Sequence, residues 1–378
     1  MDAWLCAWPG APGTFPRILR QCIGVRVHPL TSAVVCPDKF RGTLDGPEAA
    51  AAMAAGVRRA GFESVVELPL ADGGEGTLDA LVGALGGSRR RTTVTGPLGD
   101  PVLATWAMLP GGTAVVEMAE ASGLRLVDPT HRDPLRATSR GTGELIRTAI
   151  REGARRVIVG VGGSASTDGG LAAVDALGWS LHHVPVTVAC DVTSTFTEAA
   201  KRFGAQKGAT NAQVSLLTRR LDRLADQYAT RTGVDVRSLP GAGAAGGLAG
   251  GLAALGASLE PGFEVVARAA GLDEALAGDV DLVVTGEGKL DASSFLGKTV
   301  SGVLEWATDD EIPHLAVIAG QVTADAREAA SLFPNLQVLA LTDRVWQAGE
   351  AFARAATLVE EAAYEAAITA LADRGDGS

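Results

Sequence analysis

The 378-residue chain is short of cysteine, lysine, histidine and aromatic side chains, and each shortage excludes something. Its four cysteines, Cys6, Cys22, Cys36 and Cys190, lie far apart and make no CxxC pair. That spacing fits neither a disulfide framework nor a structural zinc site, and it points to a reducing, cytosolic compartment. Aromatics are 4% of the chain, too few for a platform that stacks single-stranded bases. Thirty-three cations face 44 carboxylates, and a net charge of −11 argues against nucleic acid or an anionic membrane as the main partner. The five histidines all fall outside the glycine-rich segments and no GxSxG elbow occurs, which disfavours a histidine-dependent triad or a histidine metal site. The one membrane-like stretch, Gly241 to Leu259, is nearly all glycine and alanine and too weakly hydrophobic to span a bilayer. Residues 1–32 are broken by Pro9, Pro12, Pro16 and Gly24 and lack an apolar signal core. They read as a poorly ordered extension, or as a start placed too early.

Glycine, by contrast, is abundant at 48 residues, and 47% of the chain is hydrophobic, enough for a sizeable core. Five apolar runs read as buried parallel strands: Ala33–Cys36, Val65–Leu70, Asp281–Thr285, His314–Ala319 and Leu336–Leu341. Helical patterns follow them. Asp45 with Pro47 opens an alanine-rich helix that stops at Gly61, and others cover Gly76–Ala84, Gly297–Ala307, Ala324–Leu332 and Ala351–Leu371. Alternating strands and helices of this length predict α/β architecture with a doubly wound parallel sheet. Two of the five strands precede residue 75 and three follow residue 280. The expected organisation is therefore a discontinuous domain, 33–84 and 281–378, interrupted by an inserted α/β domain, 85–280. The insert opens with short β patterns at Arg91–Thr95, Val102–Met108 and Thr113–Met118. It continues with strands at Val157–Gly160 and Val186–Cys190 and with helices near Gly143–Glu152 and Asn211–Thr230.

Ligands of doubly wound sheets sit at the carboxyl ends of the strands. Those ends carry Asp38-Lys39, then Asp72-Gly-Gly-Glu75-Gly76, then Gly286-Glu287-Gly-Lys-Leu-Asp291, so three successive ends bear carboxylates. Only five of the 33 cations are lysines, and Lys207, Lys289 and Lys298 each sit beside glycine, where a compact point charge suits phosphate. Gly160-Val-Gly-Gly-Ser-Ala-Ser-Thr-Asp168-Gly-Gly leaves a strand and enters a helix, so its backbone N–H groups could cradle an anion. Gly241-Ala-Gly-Ala-Ala-Gly246 matches a dinucleotide fingerprint without a strand leading into it. Ala292 to Thr299 resembles a P-loop set too far from its strand.

Nine segments, in order, resemble the bacterial glycerate kinases that phosphorylate D-glycerate with ATP. They are Asp38-Lys-Phe-Arg-Gly-Thr, Ala71-Asp-Gly-Gly-Glu-Gly-Thr, Glu117-Met-Ala-Glu-Ala-Ser-Gly-Leu, Thr138-Ser-Arg-Gly-Thr-Gly-Glu-Leu, Gly162-Gly-Ser-Ala-Ser-Thr-Asp-Gly-Gly, Cys190-Asp-Val, Gln206-Lys-Gly-Ala, Gly243-Ala-Ala-Gly-Gly, and Gly286-Glu-Gly through Asp291 to Gly297-Lys298. The resemblance spans about residues 33–345. It implies a flavodoxin-like sheet interrupted by the second α/β domain, with the active site between the two. It also implies transfer of the γ-phosphoryl group of ATP to a glycerate hydroxyl, giving 2-phosphoglycerate, with Mg2+. The chain departs from the family's pattern at Lys39 and Arg41, in the shortened loop Thr193–Glu198 after Asp191, and at Ser293.

Phosphoryl transfer needs positioning and charge neutralisation more than covalent chemistry. On the family's positions, Asp72 or Asp191 would accept the proton of the attacking hydroxyl, and Asp191 and Glu287 would hold Mg2+. The Gly162, Gly163 and Ser164 backbone, Glu287 and Lys298 would meet ATP. Asp38, Arg41, Glu75 and Lys207 would hold the substrate, with Arg41 or Lys207 on its carboxylate. A homodimer is compatible with the sequence. Two other readings stay open: a kinase-like protein that binds a hydroxyacid or nucleotide without turnover, and a P-loop-like NTPase.

Overall fold

The computed structural model describes residues 31–333 and 335–375. The expected extension falls, but for its last two residues, outside them. Strands β1 (Ser32–Val35) and β2 (Ser64–Glu67) come first. Six follow: β3 (Ser88–Thr95), β4 (Pro101–Met108), β5 (Thr113–Glu117), β6 (Arg156–Gly160), β7 (Val186–Ala189) and β8 (Ser258–Glu260). Three more, β9 (Leu282–Leu290), β10 (His314–Val322) and β11 (Leu336–Ala340), complete the set. The first two and last three make one parallel sheet ordered β11-β10-β9-β1-β2. The middle six make a second sheet in chain order, antiparallel from β3 to β5 and parallel from β5 to β8. This is a two-domain α/β fold. Numbered within itself, the first sheet reads 2-1-3-4-5, the flavodoxin order, and its winding reverses between β1 and β9.

Local sequence explains the helices that frame this crevice. Asp45 accepts from the backbone N–H of Glu48 while Glu48 accepts from that of Asp45, a reciprocal cap that starts helix Gly46–Ala60. Arg58 and Arg59 sit in its last turn and Gly61 closes it in the left-handed region. The helix packs beside Ala355–Gly375 over one face of the first sheet, with Met53, Val57, Leu358 and Val359 buried in a single cluster. The other face is covered by helices Thr77–Leu85, Gly262–Ala270 and Thr299–Asp309. Its cluster also takes in Val115, Ile158 and Ala189 of the second sheet, so one apolar core continues through both. Phe263 stacks edge-on against Trp306 at 5.6 Å within it.

The structure differs from the sequence expectations in three places. Gly286–Leu290 is not a loop but the second half of β9, paired with β10 as Ala319↔Glu287 and Gln321↔Lys289. The helix expected at Ala351–Leu371 is two, Ala348–Ala353 and Ala355–Gly375. The three-residue β8 has too short a pattern to read. Gly241–Leu259 folds into a buried turn and the helix Leu248–Ala254, and no helix among the described residues is long and apolar enough to cross a membrane.

Candidate active site

Two cavities open where the strand ends of both sheets converge, and they share Lys39, Arg41 and Asp72. The smaller, about 500 Å3, lies at the crevice where the first sheet reverses. Asp38 follows β1 and Glu287 lies on β9, on either side of that point. The Thr299 hydroxyl, in the first turn of helix Thr299–Asp309, donates to Asp38 Oδ2 at 3.1 Å. Lys298 stands at the same helix N-terminus, its ammonium on Ser293 Oγ at 2.9 Å and Ser293 in turn on Asp291 Oδ1 at 2.6 Å. Leu341, Ala351, Phe352 and Ala355 supply an apolar wall.

The larger cavity, about 790 Å3, takes Asp72–Glu75 from beyond β2, Val161–Ser164 from β6 and Ala189–Val192 from β7. Here the backbones of the two sheets touch. A Cβ on Gly162 would lie 2.8 Å from Gly74 Cα and 3.3 Å from Glu75 N, so no other residue fits without moving a loop. Gly73 is held the same way, with φ of +83° and Ala189 and Gly262 against it. Glu117, at the end of β5, accepts from the backbone N–H groups of Gly76 (3.0 Å) and Leu78 (2.8 Å). It thereby caps helix Thr77–Leu85 from the opposite sheet. The Lys39 ammonium donates to the Glu75 carbonyl and lies 3.7 Å from Asp38 Oδ1.

The carboxylates form a row in which each feels the next. Burial raises Asp38 above the ordinary carboxylate range; Lys39 opposes the rise and Asp72 adds to it. Asp191 faces the open cleft, yet the enclosing protein and Asp72 push it up to about 7, against the N–H of Gly262 at 2.9 Å. Glu287 is also pushed up to about 7, by burial and then by Asp38, although the Ser294 hydroxyl and Lys298 favour its charged form. Its Oε1 is buried with no hydrogen-bond partner. Crowded carboxylates with raised affinity for protons are a receptive setting for cations.

Most residues singled out from sequence meet here: Asp38, Arg41, Asp72, Glu75, Gly162, Gly163, Ser164, Asp191, Glu287 and Lys298 all line one cavity or the other. Lys207 does not. It is 1% exposed, and the turn Ala205–Lys207, closed by left-handed Gly208, directs its ammonium to the Ser166 carbonyl at 2.5 Å. It holds the β6 loop from behind rather than facing a substrate. Asp191 and Glu287, expected to share a metal, line different cavities, and among the described residues no three His, Cys, Asp or Glu side chains are grouped to hold an ion. Gly162 serves close backbone approach, which the sequence motif alone reads as an anion cradle. Thr299 and Glu117 lie in segments singled out from sequence, the P-loop-like stretch and a family motif, but no role was assigned to either.

The profile of the Glycerate kinase family matches residues 33–184 and 180–371. The chain belongs to the glycerate kinase family. Among its curated relatives, Glycerate 2-kinase from Escherichia coli (strain K12) is 40% identical over 328 residues, covering 77% of this chain and 86% of the relative. Glycerate kinase from Halalkalibacterium halodurans is 37% identical over 375 residues, covering 90% and 98%. A crystal structure assigned as a glycerate kinase 2 from Salmonella typhimurium LT2 superposes with a TM-score of 0.80 at 37% identity, covering 91% of this chain and 99% of that one. Membership of the glycerate kinase family makes the chain a kinase with a small-molecule substrate.

Proposed function

We propose that the protein transfers the γ-phosphoryl group of ATP to a hydroxyl of D-glycerate and releases 2-phosphoglycerate. The observation that carries this reading is the pair of unlike cavities joined at Lys39, Arg41 and Asp72. The smaller has the parts of a nucleotide site: an apolar wall for a base, and a helix N-terminus with Lys298 for phosphates, at the reversal point of the sheet. The larger is glycine-lined and carries Lys39, Arg41, Asp72, Glu75 and Asp191, suited to a three-carbon hydroxyacid.

In this arrangement Arg41 and Lys39 lie at the junction, where they would steady the substrate carboxylate and the charge passing between the sites. Asp72 stands beside the hydroxyl to be phosphorylated, and Asp191 takes up its proton. A carboxyl pushed up to about 7 is matched to that task near neutral pH. Asp38 is oriented by Thr299 and keeps Lys39 directed at the junction. Mg2+ fits the smaller cavity, because that ion takes one or two carboxylates and completes its shell with water and substrate phosphate. The unpartnered Oε1 of Glu287, with Asp38 close by, offers such an oxygen. Bound there, the ion would neutralise the charge on the β- and γ-phosphates.

ADP release with and without D-glycerate tests the proposal, with 31P spectroscopy of the product to tell the 2- from the 3-phosphate. Turnover that requires D-glycerate is expected. Turnover indifferent to it would mean an NTPase, and none at all a binding protein.

A further inference from the structure

A third cavity, about 340 Å3, shares no residue with the two in the cleft. It lies between Pro134–Ala137, the segment Thr167–Leu171 and the helix Asn211–Thr232. Its walls are leucine: Leu135, Leu171, Leu217, Leu221 and Leu224. Leu217, Leu221 and Leu224 recur at helical spacing on one stripe, and Arg220, Arg223 and Gln227 recur on the adjoining one. The cavity is thus oily inside and cationic at the rim.

Two features show that the chain leaves this site unsatisfied. Thr167 borders the cavity, and its hydroxyl, buried in a residue only 2% exposed, has no hydrogen-bond partner. The bonds of its neighbour Asp168 go elsewhere. Oδ2 already accepts from Ser139 N (2.8 Å) and Ser139 Oγ (2.9 Å), and Oδ1 accepts from Gly170 N (3.1 Å). Among the described residues neither Arg220 nor Arg223 is in an ion pair. Their bonds go to the carbonyls of Leu135 (3.4 Å) and Arg219 (3.3 Å). The acids on the same helix that could neutralise them, Asp222 and Asp226, are both taken by Arg237. The result is two guanidinium groups without an ion pair at the mouth of an apolar pocket, with an unpartnered hydroxyl buried behind its wall.

We infer that this cavity is a second ligand site, for a small organic carboxylate with an apolar body. Its carboxylate would meet Arg220 and Arg223, and its carbon skeleton would lie on the leucines. D-glycerate does not suit it, since a three-carbon hydroxyacid has no apolar surface to set against five leucines. The inference stands apart from the kinase reading, because no cleft residue enters it.

The full-length chain is titrated with phenylacetate and 4-methylpentanoate by saturation-transfer NMR, with phenylacetamide as the uncharged twin of the first. Both acids bind, phenylacetamide does not, and the double variant Arg220→Gln/Arg223→Gln weakens the acids roughly tenfold or more, as loss of charge-assisted hydrogen bonds requires. Both arginines are exposed, so this variant keeps its fold, which its melting curve verifies. Neither D-glycerate nor ATP displaces the acids. Failure of both acids to bind overturns the inference, as does unchanged affinity in the double variant. Displacement by D-glycerate or ATP would assign the acids to the cleft and overturn it as well.

Discussion

Replacing Gly162 by alanine adds one methyl group where the two sheets touch. Its backbone has no positive φ, so alanine is conformationally permitted there and only space is at issue. The new Cβ would lie 2.8 Å from Gly74 Cα, where ordinary contact starts at 3.4 Å, so the loops must part by about 0.6 Å to restore it. Both partners are backbone, Gly74 Cα and Glu75 N, and neither can rotate away. Forcing a methyl into such a contact costs about 1–3 kcal/mol. The larger effect is on the reaction. The displaced loop carries Asp72 and Glu75, and misplacing reacting groups by about 1 Å costs on the order of 10²-fold in rate. Gly162→Ala should therefore lower kcat by one to two orders of magnitude, with a drop of only a few degrees in Tm. Gly278→Ala, with nothing near its Cβ, is the silent control. The assay is coupled ADP release with D-glycerate, alongside thermal unfolding. A Gly162→Ala enzyme with wild-type kcat and wild-type Tm would refute the view that this glycine sets the spacing of the cleft.

Four further outcomes are expected. Asp72→Asn should cut turnover about 10²–10⁴-fold at unchanged Tm, as removal of a positioned catalytic carboxylate does; wild-type kcat removes Asp72 from the reaction. Lys298→Ala should weaken ATP binding roughly tenfold, about 1.4 kcal/mol, with stability unchanged or slightly higher, since a cation opposes the dipole at a helix N-terminus; unaltered KM for ATP means the lysine faces water. The rate of the wild-type enzyme should climb with pH through about 7 as Asp191 loses its proton, and a flat profile from pH 6 to 8 speaks against Asp191 as proton acceptor. Burial lowers Lys207 from 10.5 to about 7, so between those values the unfolded chain binds the extra proton and stability rises with pH. Urea midpoints should show that rise in the wild type and lose it in Lys207→Met; parallel curves would contradict it.

The first, parallel sheet was legible because its buried strands are unbroken apolar runs and their helices carry punctuation such as Asp45, Pro47 and Gly61. The limits of that legibility are physical. Gly286-Glu-Gly-Lys reads as a loop by composition, yet it lies in β9 because the ladder with β10 takes up its backbone groups and a Cβ at Gly286 would strike Ile318 O at 2.1 Å. Lys207 beside Gly208 has the local signature of an exposed phosphate lysine, and only the distant Ser166 carbonyl and Asp168 decide that it turns inward. Glu117 caps a helix 39 residues earlier in the chain, a relation no local pattern encodes. The cleft carboxylates Asp38, Asp72 and Glu287 were readable from strand ends alone and Asp191 only through the family resemblance, whereas their order along the cleft depends on how the two sheets meet.

The pairing of β1 with β9 has a consequence for how the chain is made. β1 is an interior strand, flanked by β2 and β9, and its partner contact Ser32 to Asp281 spans 249 residues. On a ribosome adding about 5–20 residues per second, the first two strands wait on the order of ten seconds or more for their neighbour. During that interval β1 offers one open edge of Ala33, Val34 and Val35, while the second sheet, β3 to β8, has every strand it needs and can close first. The nascent first half is then the stage most exposed to wrong pairing, and a chaperone that shields short apolar strands would act there.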